Sequence, residues 1–299
     1  MSDEQQEEAP RGPGWINPEI QQHVRWRAGD IVVSVPGKSG TTWTMNIVHQ
    51  LRSGGDADFE DIYVEVPWLE YVDRPSRSVE DIVAAIDAMP TDRRRAFKSH
   101  AAPPQLPYRD EVKYVVVVRN PEEAMTSLKP FIERHSPELF AAWGVNPAHF
   151  MHPDFASFYE AVAVNMLPGF FTFTAEWWSR RGQDNVILLH FADLVREPEA
   201  NIRRLADFLG FAPTAEQWPG ILEYSSFAWM KQHQHKFELQ KVSPYPVLTP
   251  GGMIRKGAVG RAHEDGMSPE IAADVAARGR ELLPDEAAFE WLYRGGALA

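Results

Sequence analysis

SVPGKSGTTWTMN, Ser34 to Asn46, follows the apolar run Ile31-Val32-Val33 and leads into an amphipathic stretch. Two glycines, a lysine and a run of hydroxyl residues lie between strand-like and helix-like sequence. A loop entering a helix N-terminus offers free backbone N–H groups to an anion, and a lysine adds a point charge. The stretch therefore reads as a phosphate cradle, although an ordinary strand–turn–helix connection with a surface lysine has the same outline. Which phosphate compound it holds is decided elsewhere in the chain.

Working outward, residues 31–35 read as a short buried strand. The helix after it carries Trp43, Ile47, Val48 and Leu51 on one face and stops at Ser53-Gly54-Gly55. SVEDIVAAIDAM (78–89) is a second helix with Ser78 as N-cap and Asp81 three residues on. RAFKSH (95–100) is a strand running into a proline-rich loop. VKYVVVV (112–118) is apolar and β-branched on both faces, as at the centre of a parallel sheet, and Pro121 suits the first turn of the helix that follows. FTFTAEWWSRR is helical. NVILLHF (185–191) is another buried strand, and EPEANIRRLADFLG is an amphipathic helix capped by Gly210. This alternation predicts one α/β domain, a central parallel sheet flanked by helices, over residues 15–299. The acidic segment 1–14 is expected to be a disordered tail. Ligands of such sheets bind beyond the carboxyl ends of the strands. The motifs at 36–43, 98–100 and 119–127 each follow or end a strand, so they are expected to converge.

Composition narrows the function. With 299 residues, 44% hydrophobic and 24% charged, the chain is long enough for a sizeable core. A net charge of −12 argues against a nucleic-acid partner. The absence of cysteine excludes disulfides, thiolate metal sites and cysteine nucleophiles. There is no signal-peptide pattern and no apolar run long enough to span a bilayer, so a cytoplasmic protein is expected.

The phosphate loop only partly matches the nucleotidase P-loop, G-x-x-x-x-G-K-[ST]: Gly37, Lys38 and Ser39 fit, but the first glycine is replaced by Val32. The clearest strand ends in Arg119 where a Mg-dependent enzyme usually places an aspartate. A guanidinium binds phosphate through two parallel hydrogen bonds and ligates no metal. Ser127, two helical turns further on, has a hydroxyl suited to the same anion. Two other classes remain in view: a P-loop-type small-molecule kinase, for which Asp193 is the candidate metal carboxylate, and a non-catalytic nucleotide-binding protein.

VPGKSGTTW resembles the 5′-phosphosulfate loop of the cytosolic-type sulfotransferases, and VVVVRNPEEAMTS resembles their 3′-phosphate motif. FKSH is similar to the segment carrying their catalytic histidine, and IRKGAVG (254–260) to their C-terminal RKGxxG motif. The four motifs stand in the family's order from residue 31 to 260, with a spacing most similar to bacterial members, including those acting on glycolipids. The resemblance implies a P-loop-NTPase-like sulfotransferase fold and the cosubstrate 3′-phosphoadenosine 5′-phosphosulfate (PAPS), with the S–O bond broken and no metal required.

It also implies roles. Lys38, Ser39, Gly40, Thr41 and Thr42 would hold the 5′-phosphosulfate. Arg119 and Ser127, with Arg255, Lys256 and Gly257, would hold the 3′-phosphate. Trp43 and Phe227 would enclose the adenine, with Phe191 and Ser225 beside it. Lys98 and His100 would stand at the transferring sulfuryl group with Lys38, His100 as general base and an activity limb near neutral pH. The acceptor would be an apolar alcohol, phenol or glycolipid, and Trp68, Tyr71 and Phe131 are the expected pocket residues. The sequence departs from the family at Phe191, often tyrosine, and at Arg261-Ala262-His263, where DWK is usual; the family's dimer signature is absent, so no oligomeric state is implied.

Overall fold

A computed structural model describes residues 14–298; the acidic tail call, 1–14, therefore lies outside the described residues except for Gly14. Four strands form one parallel sheet: β1 (Ile31–Ser34), β2 (Ala96–Ser99), β3 (Lys113–Val118) and β4 (Val186–His190), in the order β2-β1-β3-β4. Each lies inside its sequence-predicted range. Ser34 pairs with Ser99 on one side and Val116 on the other, and Val118 pairs with His190, so the four carboxyl ends finish along one edge.

Side chains alternate across a strand, and here both faces are covered. Val32, Phe97, Tyr114, Val116 and Leu188 enter one core with the helices Pro121–Ile132, Val164–Trp178 and Pro269–Leu282. Val33, Val115, Val117, Ile187 and Leu189 enter the other with Thr41–Ser53 and Pro198–Leu209. The helix ends follow the local chemistry read from sequence. Ser78 Oγ accepts from Asp81 N at 3.1 Å, Pro121 opens its helix, and Gly54 and Gly210 close theirs in the left-handed conformation. Behind the sheet, Arg95 and Asp30 form a buried pair at 2.5 Å that ties the start of β2 to the start of β1.

Candidate active site

All four strand ends feed one cavity of ≈ 590 Å³. β1 continues into the phosphate loop, β2 into His100, β3 into Arg119 and β4 into Phe191. From the loop and the helix it opens, Lys38, Gly40, Thr41, Thr42 and Trp43 line the cavity. Lys98 and His100 line it from β2, and Arg119, Ser127 and Phe131 from the β3 side. Phe191, Ser225 and Phe227 form one wall, and Arg255, Lys256 and Gly257 come from the C-terminal loop. The convergence expected from the strand-end positions of the motifs is thus present.

The loop is built for close approach. Gly40, the N-cap of the Thr41–Ser53 helix, has φ 95°, and a Cβ there would lie 2.7 Å from the Phe191 ring. Lys38 itself adopts φ 63°, a left-handed conformation uncommon for a residue with a side chain. Ser39 is fully buried and its hydroxyl has no hydrogen-bond partner, as is true of the buried Ser225 hydroxyl. Gly40→Ala meets both the unfavourable φ and the Phe191 ring. We expect it to cost at least about 2 kcal/mol, read as a lowered urea midpoint with an unchanged slope.

Nδ1 of His100 lies 2.6 Å from the carbonyl oxygen of Val35. Only a protonated Nδ1 can donate to that oxygen, which leaves the lone pair on Nε2. Burial, the Lys98 charge and the Lys38 charge together bring the imidazole down to about 3. This corrects the expected limb near neutrality: His100 is already neutral and able to accept a proton throughout the physiological range. Within the cavity, the two lysines are brought down toward neutrality. Lys38 falls to about 7 through burial, Arg119 and Arg255; Lys98 falls to about 7 through burial, with Lys38 adding to the effect and Glu70 opposing it. Their ammonium groups rest on aromatic faces, Lys38 3.9 Å from the Phe131 centroid and Lys98 3.3 Å from that of Trp68.

The second cationic cluster carries counter-ions. Arg119 donates to Glu123 (2.9 Å), to the Lys38 carbonyl (3.2 Å) and to the Ala258 carbonyl (3.0 Å), and lies over the Phe191 ring. Arg255 and Lys256 both donate to Asp265, at 2.8 and 2.6 Å. Asp265 follows the Arg261-Ala262-His263 departure, and Arg261, Ala262 and Asp265 line the cavity. The altered segment therefore still closes over the site. Trp43 is fixed by donation to the Ser225 carbonyl at 2.8 Å and stands edge-on to Phe191, 5.8 Å between centroids.

Several residues fall elsewhere or were not foreseen. Trp68 and Tyr71 do not line the cavity. Trp68 stands behind Lys98 and His100, and Tyr71 is stacked on Trp68 at 5.4 Å. Tyr63 lines the cavity instead; burial raises its phenol, and Thr42 lies beside its hydroxyl. Nothing in the sequence around Tyr63 signals this, because it reaches the site only by tertiary packing. Glu123 and Asp265 were missed for the same reason. Asp193 lies outside this cavity, bonded to Arg196 and the Gly296 N–H, so it stands apart from Lys38.

The chain matches the model of the sulfotransferase domain over residues 28–285. Among its relatives, a glycolipid sulfotransferase of Mycobacterium bovis (strain BCG / Pasteur 1173P2) is 29% identical over 71% of this chain and 74% of its own. The human sulfotransferase 1E1 is 27% identical over 82% of this chain and 80% of its own. A retinol dehydratase in complex with retinol and PAP superposes with a TM-score of 0.69, at 22% identity and over 89% and 84% of the two chains. The mouse sulfotransferase SULT7A1 complexed with PAP gives 0.67, at 18% identity and over 92% and 90%. The family match over residues 28–285 and the shared fold define the class as a sulfuryl-transfer enzyme. The chain belongs to the sulfotransferase domain family and is a PAPS-dependent sulfotransferase.

Proposed function

We propose that this enzyme transfers the sulfuryl group of PAPS to the hydroxyl of an apolar alcohol, phenol or glycolipid, with His100 Nε2 taking the hydroxyl proton. The observation that carries the reading is the shared cavity: a histidine with its tautomer fixed, two lysines of lowered pKa, and Arg119, Arg255 and Lys256 all line it. The residues fit a multiply anionic nucleotide. The unpartnered Ser225 hydroxyl and the glycine at position 40 line the cavity, while the unpartnered Ser39 hydroxyl is buried behind the loop.

When bound, PAPS supplies an activated sulfuryl group whose S–O bond to the 5′-phosphate breaks. The chain's part is to place and neutralise charge, as in other in-line displacements. Lys38, Ser39, Gly40, Thr41 and Thr42 hold the 5′ end. Arg119, Ser127, Arg255, Lys256 and Gly257 hold the 3′-phosphate, which exchanges with Glu123 and Asp265 as their anionic partner. Trp43, Phe191, Ser225 and Phe227 receive the base. Lys98 stands with His100 at the transferring group. Tyr63 and Phe131 supply the apolar wall for the acceptor, and the glycolipid-directed relatives support that class. No helix of the described residues is long and apolar enough to cross a membrane, so a lipid acceptor would be met at a surface.

The test is selective stabilisation. The desulfated product, 3′-phosphoadenosine 5′-phosphate, should raise the melting temperature, because ligand at a hundred times Kd adds about 2.7 kcal/mol. AMP at the same concentration should raise it much less, since it leaves the Arg119 cluster with its own carboxylates. In Arg119→Ala the difference between the two shifts should largely vanish. Equal shifts in the unaltered protein would refute the assignment.

A further inference from the structure

Segment 67–71 runs beside β2 as a one-residue extension of the sheet. Lys98 N donates to the Pro67 carbonyl at 2.8 Å, Leu69 N donates to the Lys98 carbonyl at 2.9 Å, and Trp68 and Lys98 form a parallel bridge. This register carries Glu70 alongside Ser99 and His100, where the strand ends. Glu70 is 3% exposed. One carboxylate oxygen accepts the His100 backbone N–H at 3.1 Å and the Ser99 hydroxyl. Ser99 Oγ in turn accepts from Ala101 N at 2.9 Å, so the turn carrying His100 is bonded on both sides of the histidine. The other carboxylate oxygen is buried with no hydrogen-bond partner.

A buried carboxylate with half its acceptor capacity unused is costly, since an apolar residue could fill the same volume. Burial pushes the Glu70 carboxyl up toward its neutral form; the Ser99 bond, the nearby Lys98 charge and the His100 N–H oppose this, so hydrogen bonds and the neighbouring cation together hold the charged form. We propose that Glu70 is a positioning residue of the sulfuryl-transfer site: it fixes the His100 backbone by hydrogen bonding and serves through space as the counter-ion of Lys98. The inference rests on the sulfotransferase reading for its purpose, but not for its test. The groups facing Lys98 are Glu70 from the 67–71 segment, Lys38 from the phosphate loop, Tyr63 from the Ile62–Glu65 turn and His100 on its own strand end. Of these, Glu70 alone is a carboxylate. Its charge raises the Lys98 pKa, against burial and Lys38, which lower it. The two roles belong together: one side chain orients the base and opposes the loss of charge that burial and Lys38 impose on the adjacent ammonium.

The experiment titrates Lys98 directly, by NMR of ¹³Cε-labelled lysine with the signal assigned through Lys98→Arg, and follows the His100 ring nitrogens in the same samples. In Glu70→Gln the Lys98 midpoint should fall by about one pH unit or more, because the neutral amide offers no compensating charge. Glu70→Asp retains the charge but withdraws it by one methylene. Its Lys98 midpoint should stay nearer that of the unaltered protein, while the shortened side chain releases the His100 N–H and changes the ring signals. An unchanged Lys98 midpoint in Glu70→Gln overturns the counter-ion role. Unchanged His100 signals in both variants overturn the anchoring role. If Glu70→Gln does not fold, Glu70→Asp decides: unchanged His100 ring signals together with an unchanged Lys98 midpoint refute the proposal. Neither readout needs an acceptor, so failure here leaves the sulfuryl-transfer reading intact, and failure of the nucleotide-binding test leaves this result interpretable.

Discussion

His100→Ala should lower kcat by about a hundredfold or more while the dissociation constant of 3′-phosphoadenosine 5′-phosphate changes little. The asymmetry follows from what each group touches. The nucleotide-facing donors are the phosphate loop, Arg119 and the C-terminal loop, and none uses the imidazole as a partner. His100 holds only the Val35 carbonyl through its side chain, at 2.6 Å. That bond sets the tautomer and leaves the lone pair on Nε2, the atom proposed to take the proton. Glutamine should not rescue, since its amide nitrogen has no lone pair available to take a proton. With the imidazole down at about 3, the pH profile of kcat/KM for the donor should be flat from weakly acid to neutral pH. It should then fall above about pH 7, as Lys38 and Lys98 lose their protons in the free enzyme. A rising limb between pH 6 and 7 that persists in His100→Ala would instead identify a base other than His100. Equal loss of turnover and of nucleotide binding in His100→Ala would make it a structural histidine.

The parts of this site legible in sequence are those attached to regular elements. A buried parallel strand is a run of β-branched residues, and the residue after it is delivered to the carboxyl edge of the sheet wherever the strand lies. For that reason the motifs at 36–43, 98–100 and 119–127 could be expected to converge, whereas the roles of His100 and Phe191 came from the family resemblance. Trp68 and Tyr71 were read as acceptor residues from aromatic content, which says nothing about direction. The bridge between Trp68 and Lys98 turns the Trp68 ring beneath the lysine, and Tyr71 stacks behind it. Tyr63, Glu70, Glu123 and Asp265 were invisible because their roles come from contacts across distant segments. Charge was legible in kind and not in degree: the lysines were seen as cations, but their fall to about 7 depends on desolvation that only packing defines.

The carboxylates also alter how the acidic chain meets an anion. Arg119 is held by Glu123, and Arg255 with Lys256 by Asp265. These pairs keep like charges from repelling one another before the nucleotide arrives, and they fix the C-terminal loop against the helix Pro121–Ile132 through Glu123 and the Gly260 N–H. A phosphate bound there as proposed would replace one anion by another, so its net gain would be smaller than the number of cations suggests. The 5′ end is different. Lys38 rests on the Phe131 ring, and burial, then the Arg119 and Arg255 charges, lower its pKa.

Lys38→Met should therefore produce the other large effect, lowering kcat by about a hundred- to a thousandfold and weakening nucleotide affinity by about tenfold. Methionine keeps the apolar stem over Phe131 and the left-handed backbone at φ 63°, so the change removes charge with little loss of packing. Charge at this position acts twice. It attracts the 5′-phosphate in the ground state, which affects binding. It also offsets the negative charge that grows on the leaving phosphate as the S–O bond breaks, which affects turnover more strongly because that charge is greatest in the transition state. Lys38→Arg should recover part of the affinity and little of the turnover, since the guanidinium spreads its charge over a larger planar group and does not concentrate it on the leaving oxygen as the compact ammonium does. The pH dependence supplies the sign. The free ammonium is half-deprotonated at about 7, and a bound anion raises that value, so nucleotide binding takes up a proton above neutrality and affinity falls as the pH rises. In Lys38→Met that part of the pH dependence should disappear, measured by calorimetry in buffers of different ionisation enthalpy. If the variant lowers affinity and kcat by the same small factor and keeps the proton uptake, Lys38 is a surface cation at the rim of the site, and the charge at the leaving group must come from Lys98.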